Sequence, residues 1–203
     1  MKQKTLPQLF IIYLRYLIGF AFIFSSIVKI QGLRFTTDSG AENPINSAWH
    51  FFETLYQSGI YWRFIGIAQF ITGSFLITQR FAKLGVLFFL PIIANVFVIT
   101  ISYDFKGTPI ITGLMLLATI LLLVWDWDWD SLKVLCNQKP TNSNRKRLEN
   151  DPIWIYLGCI FIALTLVAKL ILNDERIIYA FLLFPIVGLI GLIIGYNRKK
   201  LYI

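Results

Sequence analysis

The stretch LGVLFFLPIIANVFVITISY, residues 84–103, decides the fold, because it contains twenty residues and no charged side chain. A second uncharged stretch, GTPIITGLMLLATILLLVW, follows closely at residues 107–125. A helix needs about 20 residues to cross the hydrocarbon core of a bilayer, since lipid cannot hydrogen-bond to exposed backbone groups. Both stretches therefore predict transmembrane helices.

Four further segments are long and apolar enough to cross a membrane. One of them is uncharged, and the others carry only Arg15 and Lys29, Arg63, or Lys169. We expect these charges to lie within the spans or close to their ends. The sequence thus predicts six transmembrane helices, at residues 9–30, 60–78, 84–103, 107–125, 153–172 and 177–197.

The composition supports a membrane protein and excludes other classes. Of the 203 residues, 57% are hydrophobic and 15% are charged, whereas soluble domains have about 25% charged residues. Aromatic residues make up 16% of the chain, which excludes a disordered or fibrous protein. The net charge of +8 comes from basic residues between apolar runs, so we interpret it as a topology signal and expect no nucleic-acid partner.

The distribution of Lys and Arg predicts the orientation. With the N-terminus in the cytoplasm, cytoplasmic segments hold twelve of these residues and the opposite side holds six, in agreement with the positive-inside rule. Six spans then place both termini in the cytoplasm. The domain prediction is a four-helix bundle at 1–130 with an outer loop and surface helix at 31–59, a cytoplasmic polar linker at 131–151, and a two-helix transmembrane hairpin at 152–203.

Two aromatic segments flank the predicted bundle. The segment SAWHFFETLYQSG, at 47–59, predicts a short amphipathic helix on the outer membrane surface. The segment WDWDWD, at 125–130, is typical of an aromatic anchor at the cytoplasmic boundary. Its three carboxylates could alternatively bind a cation, but alternating neighbours on a helix do not converge.

Small and polar residues mark the faces on which membrane helices pack. On the third span, Gly85, Phe88, Ile92, Asn95, Ile99 and Ser102 recur at heptad spacing, which places Asn95 inside the bundle. Glycines recur in the first, second and last spans and in front of the second. The predicted packing positions are Gly19, Gly59, Gly66, Gly73, Gly188, Gly191 and Gly195.

Charged side chains within spans need a partner or a route to water. For Arg15 the sequence supports two positions equally: snorkelling to the cytoplasmic surface, or facing inward to bind neighbouring helices or a ligand. On the outer side, several charged residues fall at helix ends or on the surface helix. We predict that a polar, ligand-binding cluster caps the bundle, with ordinary surface ion pairs as the alternative; its members are Lys29, His50, Glu53, Arg63 and Asp104, with Gln69 and Asn95 deeper.

No pattern of residues identifies a catalytic site or a metal site. The two cysteines, Cys136 and Cys159, form no CxxC pair, and His50 is the sole histidine. No phosphate-binding loop or nucleophile elbow is present in the sequence. Pro91 predicts a kink in the third span, where a widened bundle interior could hold a ligand.

The first four spans resemble the DoxX family of small bacterial membrane proteins, which includes DoxD relatives. The resemblance covers roughly residues 9–130. It is carried by RYLIGFAFIFSSIVKI at 15–30, GIAQFITGSFLITQRFAKLGVLFFLPIIANVFVIT at 66–100 and FKGTPIITGLMLLATILLLVWD at 105–126. The resemblance implies a four-helix DoxX-like bundle in the bacterial cytoplasmic (inner) membrane. The last two spans depart from the family's four-helix plan, so the expected fold is an all-α membrane protein with this bundle and two additional C-terminal spans.

The resemblance also implies a function. The expected role is an accessory or assembly subunit of a membrane complex, with a membrane-protein partner or further copies of itself and a quinone or lipid bound in the bundle. One alternative is a quinone-dependent, DoxD-like oxidoreductase subunit. Another is a membrane chaperone or cargo-receptor-like binding protein. We expect that the chain is not an enzyme on its own, that quinone is the one candidate cofactor and that no metal is bound.

Overall fold

The computed structural model describes residues 5–36, 38–126, 148–171 and 174–198, with residues 174–181 described by their backbone alone. These residues form seven α-helices and no strand. The predicted linker at 131–151 and the end of the WDWDWD segment lie largely outside them. The elements are α1 Thr5–Ile30, α2 Ala48–Gln57, α3 Ile60–Ile77, α4 Ala82–Ser102, α5 Thr108–Asp126, a 3₁₀ turn Leu148–Asn150, α6 Pro152–Leu170 and α7 Asp174–Arg198.

Five of these helices, α1, α3, α4, α5 and α6, are long and apolar enough to cross a membrane. The sixth predicted span, at 177–197, falls in α7, whose described apolar part, Leu182–Arg198, is shorter. The protein is therefore an all-helical membrane protein. We call the end of the bundle at which α1 begins the near end, and the end that carries α2 the far end.

Helices α1 and α3 are in direct backbone contact through glycines. A Cβ atom at Gly19 would lie 2.8 Å from the carbonyl oxygen of Gly73, and one at Gly73 would lie 2.7 Å from that of Gly19. A Cβ at Gly66 would lie 2.9 Å from the amide nitrogen of Ile30. These distances are too short for any side chain, so the spacing of small residues sets the separation of the two helices.

The last two helices pack on the same bundle. Gly158 of α6 lies against the backbone of Ile77, at the end of α3. On α7, Gly191 and Gly195 face Leu157 and Trp154 of α6. Small residues therefore provide close contacts from α3 through α6 to α7.

Gly59 has a different role from the predicted packing. No atom lies within 4 Å of a Cβ built there, and its φ is +57°. It forms the turn in front of α3, where a left-handed backbone favours glycine.

Helix α1 lies at the centre of the bundle and divides the core into two parts. On one side, Ile12, Tyr16 and Ile23 pack with Ile77 of α3 and Trp154 of α6. On the other side the core is formed with α4 and α5, where the ring of Phe22 stacks on that of Phe89 at a centroid distance of 3.8 Å. Helices α4 and α5 are consequently the more peripheral ones and expose long apolar faces.

The orientation of α4 differs from the heptad prediction. Its buried residues include Gly85, Val86, Phe89, Ile93 and Thr100. Asn95, predicted inside the bundle, is instead exposed on the outer face. Because α4 is apolar all round, its sequence pattern does not distinguish the buried face from the lipid-facing one.

Candidate functional site

Arg15 faces inward at the near end, where its guanidinium is buried with 3% of the residue exposed. One terminal nitrogen donates a hydrogen bond to Gln79 Oε1 at 2.9 Å. The other forms an ion pair with Asp126 Oδ1 and lies 3.6 Å from Glu149 Oε2. We call these four residues the Arg15 cluster; it decides between the two positions that the sequence left open.

The partners of Arg15 come from three other segments, and two of them, Gln79 and Glu149, are fixed by further contacts. Gln79 follows α3, has a left-handed backbone with φ of 59° and donates to the carbonyl oxygen of Ile12 at 3.2 Å. Glu149 accepts a hydrogen bond from Trp125 Nε1 at 3.0 Å, while its backbone amide donates to Gln8 Oε1 at 3.3 Å. The Arg15 cluster thus joins α1, the turn after α3, the end of α5 and the start of the C-terminal half.

One guanidinium faces two carboxylates in this cluster, and not every polar atom is paired. Arg15 Nε and Asp126 Oδ2 are buried without a hydrogen-bond partner in the described part of the chain. Buried polar atoms of this kind are costly unless water or another group satisfies them. The Arg15 cluster nevertheless mainly connects parts of the chain, since Gln79 also binds the backbone of Ile12 and Glu149 also binds Trp125.

A second ion pair at the near end fixes the last helix. Asp151 caps the N-terminus of α6 by accepting a hydrogen bond from the amide of Ile153 at 3.0 Å. The same carboxylate oxygen is 2.9 Å from Arg198 at the end of α7. Tyr16 contributes to the same region by donating to the carbonyl oxygen of Trp154 at 2.6 Å.

At the far end, Glu53 of α2 binds residues of the outer loop that precedes this helix. Arg34 binds it with two nitrogens, Nε at 3.0 Å from Oε2 and Nη2 at 3.0 Å from Oε1. The amide of Gly40 donates to Oε2 at 3.2 Å, and Gln57 Nε2 donates to Oε1 at 3.3 Å. We call these residues the Glu53 cluster. Ser47 begins the helix by accepting a hydrogen bond from the amide of His50 at 3.2 Å.

These contacts stabilise the ionised form of Glu53. The hydrogen bonds from Arg34, Gly40 and Gln57 outweigh burial and lower the pKa of the Glu53 carboxyl from 4.5 to about 2. The same interaction raises the pKa of Arg34 above its ordinary value. Glu53 therefore remains charged over the physiological pH range.

Lys29 is buried near the far end but does not join the Glu53 cluster. Its ammonium donates to the carbonyl oxygen of Ser25 at 2.8 Å. It also lies 4.9 Å from the ring centroid of Phe35 and 5.2 Å from that of Trp62. Backbone and aromatic rings thus surround this cation.

The predicted outer cluster is not assembled, because no hydrogen bond or ion pair joins Lys29, His50, Glu53, Arg63 and Asp104 to one another in the described ranges. Arg63 is exposed, with its guanidinium against Gly32, and Asp104 is exposed in the turn before α5. His50 Nδ1 and Gln69 Oε1 are buried without a partner among the described residues.

Sequence reasoning missed four residues that the structure makes central: Arg34, Gln79, Asp126 and Glu149. Three of them contact Arg15 across large separations: 64 residues for Gln79, 111 for Asp126 and more still for Glu149. The one available signal was an acidic residue at the end of a span on the same side of the membrane as Arg15. The described residues contain no group of three or more His, Cys, Asp or Glu arranged to hold a metal ion.

The outer face of α4 is the second feature with functional potential. One set of its exposed residues follows spacings of four and three, and two members, Asn95 and Ser102, are polar. Asn95 lies about 4.5 Å along the helix axis from Ile92 at the midpoint of α4. We call this set the α4 stripe: Leu84, Phe88, Pro91, Asn95, Val98 and Ser102.

Comparison with known proteins gives a family but no activity. No family model matches the chain, and no solved structure matches it. The chain is 30% identical over 125 residues to the uncharacterized protein YwoB of Bacillus subtilis strain 168, a match that covers 59% of this chain and 77% of YwoB. On this similarity the chain belongs to the same protein family as YwoB.

Proposed function

We propose that the protein is an accessory or assembly subunit of a membrane complex, and that it binds the transmembrane helix of a partner on the α4 stripe. The observation that carries this proposal is the exposure of Asn95 near the middle of a membrane-spanning helix. The side chain of Asn95 forms no hydrogen bond with any described residue. An amide surrounded by lipid lacks hydrogen-bond partners, and a facing helix can provide them.

The spacing of the stripe supports a helix rather than a small molecule as the partner. Leu84, Phe88, Asn95 and Val98 belong to one series of alternating four- and three-residue steps, which is the seam of a two-helix coiled coil. A single polar residue in such a seam fixes the register of the two helices. The apolar stripe residues supply surface for packing on both sides of Asn95, and the hydroxyl of Ser102 is already bonded to the carbonyl oxygen of Val98.

The arrangement of buried charge favours assembly over catalysis. The guanidinium of Arg15 is bound by Gln79 and Asp126, and Glu53 is bound by Arg34. These contacts connect segments of the chain to one another, and both Arg15 and Glu53 are buried in protein. The alternative of a quinone-dependent, DoxD-like oxidoreductase subunit has no comparable observation in its favour, so the binding role is the function that the geometry supports best.

The proposal also includes the number of spans, the side of the membrane on which the termini lie, and the membrane itself. The protein would be a DoxX-like bundle of four spans with two further spans, both termini in the cytoplasm and the whole in the bacterial cytoplasmic membrane. The apolar stretch of α7 and the excess of Lys and Arg on the near side support it. A partner helix would then meet the α4 stripe within the bilayer.

Photo-crosslinking in intact membranes tests this function. A photoreactive phenylalanine analogue at Val98, on the stripe, should give one discrete adduct with a protein partner. The same analogue at Tyr156, which is exposed on α6, is the matched control and should give none. An adduct of twice the mass of the chain would identify a second copy as the partner.

Substitution of Asn95 decides whether the adduct reports specific docking. Asn95→Leu removes the amide while keeping an apolar stripe, and we expect it to reduce the Val98 adduct about tenfold, since an interhelical hydrogen bond contributes about 1–2 kcal/mol. Asn95→Gln should retain most of the adduct. No adduct at Val98, or equal adducts at Val98 and Tyr156, would refute the proposal.

A further inference from the structure

A groove on the outside of the bundle lies between α1 and α7 at the near end. Its volume is about 600 Å³, within the range of about 300–1,000 Å³ that is typical of small-molecule sites. Leu6, Phe10 and Tyr13 line one side, and Ile193, Tyr196 and Asn197 line the other. The walls are almost entirely apolar, with Asn197 at the near end.

The two helices that form this α1–α7 groove are held in place. The hydroxyl of Tyr13 donates to the carbonyl oxygen of Gly188 at 2.6 Å, which joins the helices at the inner limit of the groove. At its outer limit, Arg198 is bound by Asp151 at the start of α6. The groove is therefore fixed at both ends by named contacts.

The length of the groove indicates what fits in it. On α1 it extends from Leu6 to Tyr13, which is about 10 Å along the helix axis. A partner helix that spans the membrane would need about 30 Å of surface. The groove lies within one leaflet and matches a single flexible chain better than a helix.

The sequence before α1 and after α7 is strongly basic. Residues 1–14 and 186–203 contain Lys2, Lys4, Arg198, Lys199 and Lys200, and no acidic residue. Lys4 directly precedes α1, and Lys199 directly follows α7. Clusters of basic residues beside a span attract anionic lipid headgroups.

We propose that the α1–α7 groove is a binding site for one anionic phospholipid. An acyl chain lies between Phe10 and Ile193, and the headgroup lies at the near end beside Asn197. The lysines that precede α1 and follow α7 in the sequence favour a negative charge on this headgroup. The lipid covers the apolar walls that the two helices leave open. This site is distinct from the α4 stripe and would exist whether or not a partner helix binds there.

Native mass spectrometry of the full-length protein in mild detergent tests the site. Phosphatidylglycerol and phosphatidylcholine with the same acyl chains are titrated separately. We expect one phosphatidylglycerol to bind at least about 25-fold more tightly than phosphatidylcholine, because Lys199 and Lys200 should each contribute about 1 kcal/mol, roughly fivefold. The double variant Lys199→Gln, Lys200→Gln should weaken phosphatidylglycerol binding roughly fivefold for each lysine and leave phosphatidylcholine binding unchanged.

A matched charge control and two blocking variants complete the test. Arg63→Gln with Lys106→Gln removes two exposed cations from the far end and should change binding less than twofold. Leu6→Trp and, separately, Ile193→Trp fill the groove and should each abolish the bound lipid; Leu6 is 75% exposed, so its replacement does not disturb the core. Equal affinity for the two lipids, an equal loss in the far-end control, or lipid retained in both tryptophan variants would overturn the proposal.

None of these substitutions lies on α4. The crosslinking result at Val98 and the lipid result can therefore fail separately, and each failure identifies which of the two proposals is wrong.

Discussion

The two ends of the bundle use buried charge in different ways. At the near end, Arg15 pairs with Asp126, 111 residues later in the chain. At the far end, Glu53 pairs with Arg34, which is only 19 residues away. The first ion pair connects separate helices in the interior, whereas the second fastens one loop to its own short helix.

The exposure of the paired side chains determines how much of the protein is affected when an ion pair is lost. Both side chains of the near-end pair are buried, at 4% and 9% exposure, while Arg34 at the far end is 40% exposed. Water can replace a lost contact at Arg34 but not at Arg15. We therefore expect loss of Arg15 to affect the whole bundle and loss of Glu53 to affect only residues 31–59.

The largest expected effect comes from Arg15→Met. Removal of one member of a buried ion pair leaves the other charge uncompensated and costs about 3–5 kcal/mol. The free energy of unfolding in detergent micelles should fall by that amount. Arg15→Met combined with Asp126→Asn and Glu149→Gln should recover part of the loss; a single variant as stable as the unmodified protein would contradict the comparison.

The second effect concerns the close backbone contact between α1 and α3, the two helices that connect the near end with the far end. In Gly73→Ala the new Cβ would lie 2.7 Å from the carbonyl oxygen of Gly19, which cannot move without shifting α1. We expect a loss of about 1–3 kcal/mol in the free energy of unfolding. Gly188→Ala is the matched control, since the nearest atom is 3.7 Å away, and an equal loss in both variants would show that close packing of α1 on α3 is not the cause.

The third effect is local. Glu53→Gln removes the charge that Arg34, Gly40 and Gln57 bind, so hydrogen exchange should increase in residues 31–59 and remain unchanged in α1 and α3. Glu42→Gln, at an exposed position of the same loop, should have no effect. Increased exchange throughout the bundle would mean that the two ends are not independent.

The smallest effect is the pH dependence of the same loop. Since the pKa of Glu53 is lowered to about 2 in the folded protein from 4.5, the stabilisation is complete above pH 4.5 and is lost as the pH falls towards 2. Cleavage within 31–59 by an acid-active protease should therefore rise progressively between pH 4.5 and pH 2 and level off below pH 2. In Glu53→Gln the loop should be cleaved equally throughout this window, and an unchanged pH profile would exclude Glu53 as the titrating group.

The sequence was sufficient to predict the positions of the helices, but it was not sufficient to predict the partners of the charged residues. Apolar runs predicted the positions of all five long spans, because lipid imposes a minimum length on a helix. The same apolarity concealed the orientation of α4 and thus of Asn95. Arg15 could not be assigned a position, since its partners are distant in the sequence and follow no local spacing. Glu53 was recognised as a site residue, but its partner is Arg34, which lay outside the predicted cluster.

The inward position of Arg15 also has a consequence for biosynthesis. The first helix is made with a cation whose counterion, Asp126, is synthesised 111 residues later, a delay of roughly ten seconds at bacterial elongation rates. Throughout that interval a truncated product carries an unneutralised guanidinium in its oldest span.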